Sequence, residues 1–572
     1  MLDLLFMVGF VGWEIVRWAI LILMLLIPII LLSLVILFVY DRWFQKKNLV
    51  IGNFPVLGRF RYIAHELRPF FRQYFGEDNA WTPRLIIDWI IDVANGKSGY
   101  FAFDKFDTTQ ALHNGQHQMI HAANPLNVDE MAVQYPLVGA KRAHPLQFES
   151  FFYRSAMSLG ALGFEATSAM AAACADAHAP FNTGEGGFSV HHIPRVKFSK
   201  NHKFFKYKSV PKVFKLFYWI TPGARAKTYL IDFFGALVLP KGMRDLYLFD
   251  VNQFVFYTID WEADLKHFPK PEDLTAEYGQ VIFQIGSGLY GLRKHTDDGS
   301  IALDWDRFAK ITSFCRAIEI KLAQGAKQTG GILKANKNTP VVATIRGMKP
   351  GVDIISPNRF PFYGKGEEKE FLEFMNKASE QSGGKPVGCK LVISGPNNIE
   401  PLAKAIKKHP KIAPDFITID GGDGGSGAAP IALGVLFGKR IYEALEIVMD
   451  VLNTQGVRDQ VKVFASAKLY APHMSARAMA LGADAVGNAR SIMISGGCIR
   501  AGLCSGEHGN CPVGLATMKK SNRRSYAQTW HKKVQQIQNY IKAHNKGLIQ
   551  VASICGVPSP SELAPAHIAP KA

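Results

Sequence analysis

Short apolar runs that end in small-residue loops organise the stretch between residues 418 and 517. Three of them read Thr418-Ile-Asp-Gly-Gly-Asp-Gly-Gly, Val461-Lys-Val-Phe-Ala-Ser-Ala-Lys and Ala483-Asp-Ala-Val-Gly-Asn-Ala-Arg, with helical segments between them. Strands that alternate with helices are typical of a parallel α/β sheet, and in a closed barrel the chemistry lies at the strand ends. The pattern predicts a (β/α)8 barrel, known as a TIM barrel.

The same pattern extends back to about residue 145. Earlier strands are predicted at the runs that begin at Phe152, Pro180, Gln280, Ile318, Val341 and Lys390. The predicted organisation is a pre-barrel region at 48–144, the barrel at 145–520 and a C-terminal helix and tail at 521–572. A long insertion, about 188–277, follows the second strand.

The letters Gly286-Ser-Gly-Leu-Tyr-Gly match the GxGxxG pattern of dinucleotide-binding proteins. That fingerprint needs a helix to begin at the loop, so that the helix N-terminus holds the pyrophosphate. Here the polar run Leu292-Arg-Lys-His-Thr-Asp-Asp-Gly follows. We therefore predict a turn without a dinucleotide site.

An almost uninterrupted apolar run lies near the N-terminus, about 18–40, which is long enough for one membrane-crossing helix. A cleaved signal peptide is the alternative, but its apolar core is shorter and a basic start precedes it. We expect residues 1–47 to be a single-pass anchor. Arg42, Lys46 and Lys47 follow the run, so the positive-inside rule predicts a cytoplasmic catalytic domain.

The formal net charge of +19 favours an acidic partner. Nucleic-acid binding predicts a dense basic stripe with a recognisable motif, which the sequence lacks, so a lipid bilayer is the expected partner. Within the insertion, lysines between Lys197 and Lys215 alternate with aromatic residues up to Trp219. This segment is either a cover packed on the barrel or an interfacial segment whose aromatic side chains enter the membrane.

Three of the seven cysteines form a group, Cys498, Cys504 and Cys511, whereas the others are scattered singly. Scattered cysteines in a cytoplasmic domain are typical of buried small apolar residues. Grouped thiolates bind iron–sulfur clusters or zinc, and His508 makes a Cys3His zinc site one alternative. A third alternative is that the group binds no metal.

The Asp420-Gly-Gly-x-Gly loop, Ser155-Ala-Met-Ser and Cys511-Pro-Val-Gly resemble the FMN-binding synthase domain of glutamate synthase over about residues 145–520. The resemblance implies an FMN-binding (β/α)8 barrel and an iron–sulfur cluster of the [3Fe-4S] type on the three cysteines. Those cysteines are separated by five and then six residues here, against five and then four in the family. The flavin contacts that it implies are Ser155, Met157, Ser158, Gln284, Lys390, Asp420, Gly421 and Gly422.

The FMN phosphate is expected after the seventh and eighth strands, as in other barrels of this kind. Those positions are Ser466, Lys468, Gly487, Asn488 and Arg490. Ala467 and Lys468 replace glycines that are typical of the family. Lys468 or Arg490 is therefore expected to bind the phosphate as a direct cation.

The motifs Asn182-Thr-Gly-Glu-Gly-Gly and Lys321-Leu-Ala-Gln-Gly-Ala-Lys resemble the substrate-facing motifs of the family. By this resemblance Glu185, Lys321, Gln324 and Lys327 bind or polarise 2-iminoglutarate. A cationic site suits that substrate, because it carries two carboxylates and because protonation of its imine makes the carbon a better hydride acceptor.

The resemblance implies 2-oxoglutarate as substrate and ferredoxin or a reductase as external electron donor. It does not include the glutaminase domain of the full-length family, so nitrogen is expected from ammonia, a separate subunit or another amine. The alternatives are a related flavin amine oxidoreductase, such as an N-alkylglutamate synthase, and an inactive membrane-tethered scaffold. The altered phosphate loop and cysteine spacing favour the scaffold, whereas the intact substrate motifs favour an enzyme.

Overall fold

Eight parallel strands form a closed barrel in the computed structural model, which describes residues 2–64, 84–100, 118–297, 300–325, 331–361, 368–424, 433, 436–500, 504 and 511–569. Each strand pairs with the next along the chain, and the last pairs with the first. The predicted TIM barrel is confirmed. Its strands are β1 (Phe152–Arg154), β2 (Pro180–Asn182), β3 (Gln280–Ile285), β4 (Ala317–Lys321), β5 (Val387–Leu391), β6 (Phe416–Asp420), β7 (Lys462–Ser466) and β8 (Ala485–Asn488).

Apolar side chains fill the amino end of the barrel. Ala317, Phe416 and Ala485, the first residues of their strands, belong to one buried cluster with Phe148 and Tyr153. An antiparallel hairpin of Leu137–Val138 and Leu146–Gln147 adds Val138 and Leu146 to this cluster. Because the amino end is closed in this way, space for a ligand remains at the carboxyl end.

Helices follow the strands around the barrel and extend it at both ends of the chain. The helix that begins at Trp530 packs against the helices that begin at Phe164 and Pro472, outside β1. The helices are α1 (Leu2–Val39), α2 (Leu49–Asn53), α3 (Arg84–Ala94), α4 (Phe164–Asp176), α5 (Val213–Ile220), α6 (Ala224–Val238), α7 (Trp305–Thr312), α8 (Pro340–Arg346), α9 (Glu368–Gln381), α10 (Glu400–Lys408), α11 (Ile441–Gln455), α12 (Pro472–Ala480), α13 (Arg490–Ser495), α14 (Lys520–Gln528) and α15 (Trp530–Ile554).

The strand predicted at Val341 is wrong, because this run forms helix α8. The Thr339 side chain accepts a hydrogen bond from the Val342 amide, and Pro340 occupies the first turn, where its missing N–H costs nothing. Gly347 ends the helix in the left-handed conformation. These helix signals outweigh the β-branched composition of the run.

The segment between β2 and β3 is a small unit with its own sheet and core. Its antiparallel strands are Phe205–Ser209, Leu248–Asp250 and Val255–Ile259, with the last in the centre. Helices α5 and α6 pack on this unit through a separate apolar cluster centred on Phe234 and Phe256. The turn at 286–291 leads into the strand Arg293–His295, as expected for a false dinucleotide match.

The apolar side chains that the structure describes in the first helix are mostly exposed, from Trp18 onward. Among the described residues, the one helical span long and apolar enough to cross a membrane is Ile22–Phe44, and its most apolar stretch is not buried. A signal sequence near an N-terminus can pass the same test of length and composition. Near the end of this span, the Asp41 carboxylate is fully buried and lies 2.5 Å from the Arg59 guanidinium. The residues directly after the helix are therefore held to the segment that follows them.

A candidate active site at the carboxyl end of the barrel

A cavity of about 310 Å³ lies where the barrel strands end, and its volume falls within the range of small-molecule sites. Each of the eight strands contributes residues to its wall, either near the end of the strand or in the loop that follows. Most of the predicted site residues meet here. They are Ser155, Met157, Ser158, Glu185, Gln284, Lys321, Gln324, Lys390, Asp420, Ser466, Lys468, Asn488 and Arg490.

Three predicted glycines do not line the cavity. A Cβ on Gly421 would collide with the Asp423 carboxylate, one on Gly422 with the Gly438 backbone, and one on Gly487 with the Tyr153 ring. These positions need glycine because the backbone or a ring approaches closely. Lys327, predicted to contact substrate, lies outside the described residues.

Two buried ion pairs lie side by side in the cavity wall, since Lys321 and Lys390 are register partners on adjacent strands. The Lys321 ammonium at the end of β4 lies 2.6 Å from Glu185 Oε1. The Lys390 ammonium of β5 lies 3.2 Å from Asp420 Oδ1 of β6, and the Gly325 amide donates to Asp420 Oδ2 at 2.7 Å. Burial makes charged hydrogen bonds of this kind strong and makes their loss costly. The pairs therefore fix two ammonium groups beside the space for a ligand.

The space around the Glu185 carboxylate admits only small residues. A Cβ added to Gly286 or to Gly331 would collide with a carboxylate oxygen of Glu185. Gly286 follows β3 and is the first glycine of the run that matches the dinucleotide pattern. Because it has no side chain, the Glu185 carboxylate has space to reach the Lys321 ammonium.

Glu319 organises polar side chains inside the barrel and was missed in the sequence. Its carboxylate accepts hydrogen bonds from Asn182 Nδ2 at 2.7 Å, Gln284 Nε2 at 2.6 Å and Thr418 Oγ1 at 2.6 Å. It shares one face of β4 with Lys321, two residues later, because side chains alternate along a strand. The available signal was an acidic residue within the otherwise apolar run Ala317-Ile-Glu-Ile.

The loops after β1, β7 and β8 meet at the other side of the cavity. Ser155 Oγ and Ser466 Oγ are 2.7 Å apart. The Asn488 side chain donates to the Ala467 carbonyl and accepts from the Ser491 amide at 2.7 Å. These contacts fix the loop that carries Lys468, whose side chain is exposed at the cavity wall.

Further cations that the sequence reasoning missed also line the cavity: Lys334, Lys337 and Arg346. Burial lowers the pKa of Lys337 and that of Arg346, and for Arg346 the nearby Glu185 opposes the effect. Arg346 Nη2 donates to the Leu159 carbonyl at 3.0 Å. The available signal for Arg346 was the helix start at Thr339 and Pro340, because it predicts helix α8 and places Arg346 at its end.

The three grouped cysteines lie beside this cavity. Cys504 lines it, and its carbonyl accepts a hydrogen bond from Lys337 Nζ at 2.9 Å. Burial raises the pKa of Cys498, the Arg500 amide opposes this, and the Cys511 and Cys504 thiols add to it. Within the described ranges, no three His, Cys, Asp or Glu residues are grouped so that they could hold a metal, and His508 lies outside those ranges. The cluster and the zinc alternative stay predictions.

The segment after the first helix contacts the cysteine-bearing loop. Asn53 Nδ2 donates to the Pro512 carbonyl at 2.5 Å, and Arg61 Nη2 donates to the Ile499 carbonyl at 3.1 Å. The Arg225 guanidinium of α6 donates to the Gly52 carbonyl at 2.8 Å. The segment 41–61 therefore touches both the cysteine loop and the insertion.

Comparison with known proteins identifies the family. The region described as "Conserved region in glutamate synthase" matches residues 102–557. A "Glutamate synthase large subunit-like protein" of Bacillus subtilis, YerD, is 30% identical over 571 residues, which cover 92% of this chain and 90% of that protein. The ferredoxin-dependent glutamate synthase of Cyanidium caldarium is 33% identical over 214 residues, which cover 37% of this chain and 13% of the relative.

Among solved structures, the flavin-binding domain of baker's yeast flavocytochrome b2 is similar with a TM-score of 0.39 and 12% identity. The match covers 80% of this chain and 77% of that domain. A likeness at this level carries no weight beside the observed strand order and the family match. The chain belongs to the glutamate synthase family and is an oxidoreductase of that family.

Proposed function

We propose that the protein is an FMN-dependent, glutamate synthase-like enzyme that reduces 2-iminoglutarate, formed from 2-oxoglutarate and ammonia, to glutamate. The observation that carries the proposal is the presence of two buried ammonium–carboxylate pairs, Lys321–Glu185 and Lys390–Asp420, in one cavity at the carboxyl end of a TIM barrel. Active sites of this fold lie at that end.

Several residues that line the cavity suit FMN. Gln284 and Lys390 supply an amide and a cation for the polar edge of the ring, and Ser155 and Ser466 supply hydroxyl groups. Lys468 and Arg490 supply positive charge for the phosphate after the seventh and eighth strands. Bound FMN would deliver the hydride that reduces the imine carbon.

Other residues of the cavity wall suit a dicarboxylate substrate. Lys334 and Arg346 line the cavity as cations, and both carboxylates of 2-iminoglutarate require such partners. The Lys321 ammonium, held by Glu185, is placed to donate a proton to the imine nitrogen. A protonated imine accepts hydride at carbon, and the product is the amine of glutamate.

The nitrogen source and the electron donor belong to the proposal as well. We propose that ammonia, or another amine, enters from solution or from a separate subunit, and that ferredoxin or a reductase supplies electrons. A related enzyme that forms N-alkylglutamate from a larger amine is the second candidate. No step is assigned here to a metal on the three cysteines.

We further propose that α1 anchors the protein in a membrane and that the barrel faces the cytoplasm. Its exposed apolar length supports the anchor, and Arg42, Lys46 and Lys47 directly after it support the orientation. Protease protection of the barrel in sealed inverted and right-side-out vesicles tests this. An externally digested barrel in right-side-out vesicles would contradict the orientation.

The catalytic proposal is tested with the full chain in detergent. Anaerobic absorbance shows whether FMN copurifies, and stopped-flow reoxidation of the reduced flavin is then followed with 2-oxoglutarate and ammonia together and with each omitted. We expect reoxidation only with both and mass-spectrometric detection of glutamate. Reoxidation that needs methylamine in place of ammonia favours the second candidate, and a colourless protein that cannot be reconstituted with FMN leaves the scaffold.

The Lys321→Met variant tests the proton donor. Loss of general acid catalysis is expected to slow imine-dependent reoxidation by about 10²–10⁴-fold. Binding of FMN, followed by fluorescence quenching, should change little. Lys439→Met, at an exposed pair with Glu443, is the control and should react at the wild-type rate. Wild-type reoxidation in Lys321→Met would contradict the role of Lys321.

A further inference from the structure

Helix α5 exposes a continuous apolar face that the barrel does not use. Val213, Leu216, Phe217 and Ile220 follow the i, i+3, i+4, i+7 spacing of one helix face, whereas Phe214 and Tyr218 pack inward on the insertion's own core. The outward side chains of α5 and α6 are between 47% and 65% exposed. They are Val213, Leu216, Phe217, Trp219, Ile220, Phe233 and Leu237, here called the apolar patch.

The patch is contiguous across the two helices. The Phe214 ring lies 6.2 Å from the Phe217 ring and 6.4 Å from the Phe233 ring, measured between centroids. Large exposed patches of this kind mark a binding surface, because water-exposed aromatic and aliphatic groups carry a free-energy cost.

Positive charge surrounds the apolar patch. Lys206, Lys208, Lys212 and Lys215 are exposed beside α5, and Asp232 is the single acidic residue in the sequence between Lys203 and Lys241. The Asp232 carboxylate is engaged by Arg524 at 2.8 Å and by Lys520 at 3.4 Å. Lys227 Nζ lies 4.9 Å from the Tyr218 ring centroid and 5.4 Å from that of Trp219. The surface is therefore apolar in the middle and cationic at its edge.

The apolar patch lies beside the end of the apolar helix α1. Helix α6 packs against residues 40–44, and a Cβ on Gly223 would lie 3.8 Å from the Trp43 carbonyl oxygen. Trp43 and Phe44 are themselves 42% and 61% exposed. Aromatic residues at the end of a membrane helix occupy the headgroup level of a bilayer. The patch and the end of the helix therefore belong to one region of the surface.

We propose that helices α5 and α6 form a second membrane contact, an interfacial surface that inserts the apolar patch at the headgroup level of an anionic bilayer. Apolar side chains flanked by lysines suit that environment, since apolar burial and attraction to anionic headgroups act together. This contact orients the barrel on the membrane, in addition to tethering it, and it is independent of the proposed catalysis.

The test uses the full chain in vesicles that contain a photoactivatable phospholipid, with or without anionic phospholipid. Labelled tryptic peptides are quantified by mass spectrometry for residues 216–225, which carry the patch, and 18–42, which carry the apolar run. Peptide 347–359 is the matched control, because Ile355 is 68% exposed there but lies outside the patch. We expect labelling of 216–225 well above the control and several-fold higher with anionic lipid.

Variants separate the contribution of the apolar side chains from that of the surrounding lysines. Phe217→Ser with Ile220→Ser is expected to lower labelling of 216–225 several-fold, and Val352→Ser with Ile355→Ser to leave it unchanged. Lys208→Gln with Lys212→Gln, which leaves the cleavage site at Lys215 intact, should remove the dependence on anionic lipid. Circular dichroism melting verifies that each variant is folded.

Other labelling patterns would contradict the membrane contact or assign the patch to a different partner. Strong labelling of 18–42 with only control-level labelling of 216–225 would overturn the proposal while leaving the anchor intact. Control-level labelling of both peptides would overturn the anchor as well. Control-level lipid labelling of 216–225, together with crosslinks between copies at Lys212 from a bifunctional amine reagent, would assign the patch to contact between copies of this protein.

Discussion

At the scale of single residues, the barrel interior is held by one acidic side chain whose partners come from three other strands. Glu319 binds Asn182 of β2, Gln284 of β3 and Thr418 of β6. It thereby sets the orientation of Gln284, which lines the cavity. A carboxylate can accept from all three donors at once, whereas an amide presents one acceptor oxygen and two donors.

The Glu319→Gln variant is therefore expected to lose at least one charged hydrogen bond. The NH2 group of the new glutamine would also point at one of the three donor groups that the carboxylate accepts from. We expect the free energy of unfolding to fall by about 2–3 kcal/mol and FMN to bind more weakly. Urea titration and fluorescence measure the two effects. Glu373→Gln, at a half-exposed i,i+4 pair on α9, is the control and should change the free energy of unfolding by about 0.5 kcal/mol or less. Equal stability of the two variants would show that the Glu319 network is dispensable.

At this scale, the sequence identified cavity-lining positions where a motif and a strand end coincide, whereas the roles of these residues stay predictions. The apolar runs predict the strand ends, and four residues at or after these ends line the cavity: Glu185, Lys321, Lys390 and Ser466. Glu319 was not predicted because its importance depends on donors distant in the sequence. Gly487 was assigned to the cofactor on its position alone, and the crowding by the Tyr153 ring appears only in the folded barrel.

At the scale of elements, buried parallel strands read as apolar runs, and this is why eight of the nine predicted runs are barrel strands. The ninth run, at Val341, was wrongly predicted to be a strand because its β-branched composition was given more weight than the capping residues on either side. Its Thr-Pro start and glycine end are helix signals, and they place Arg346 at the cavity. The small sheet of the insertion was also not predicted, since only its basic and aromatic composition was noted.

Helix α8 offers a test that separates stability from site geometry. Gly347 and Gly456 both end helices with φ near +68°, and a Cβ at either position meets nothing within 4 Å. Gly347→Ala and Gly456→Ala should therefore each lower the free energy of unfolding by about 1–2 kcal/mol, the cost of a left-handed alanine.

Only Gly347→Ala is expected to weaken 2-oxoglutarate binding, because it directly follows Arg346 in the cavity wall. Urea titration and calorimetric titration with 2-oxoglutarate measure the two quantities. Equal losses of affinity in both variants would indicate that α8 acts on the ligand only through global stability.

At the scale of the whole molecule, the apolar helix α1 is joined to the barrel by a folded connection and not by a loose linker. Leu49 and Val50 belong to the main core, Ile51 is also buried, and Asn53 donates to the Pro512 carbonyl next to Cys511. The Val56 amide and the Arg59 guanidinium both donate to the Asp41 carboxylate. The position of the barrel relative to the helix is consequently fixed by specific contacts.

Breaking the Asp41–Arg59 pair should loosen this connection. The Asp41 carboxylate is fully buried but the Arg59 side chain is 38% exposed, so removal of the carboxylate should cost less than the about 3–5 kcal/mol that is typical of a fully buried pair. In Asp41→Asn, reconstituted as the full chain in nanodiscs, we expect trypsin to cleave at Arg42, Lys46 or Lys47 many-fold faster and to release a soluble barrel fragment.

Asp92→Asn is the control, since the Asp92–Lys97 pair on α3 is exposed and its loss should leave the cleavage rate unchanged. If both variants resist trypsin as the wild type does, the Asp41 pair does not secure the connection, and the buried run at 49–51 alone holds the barrel to the helix. If Asp41→Asn also loses the anionic-lipid dependence of labelling at 216–225, the ion pair and the apolar patch together set how the barrel lies on the membrane.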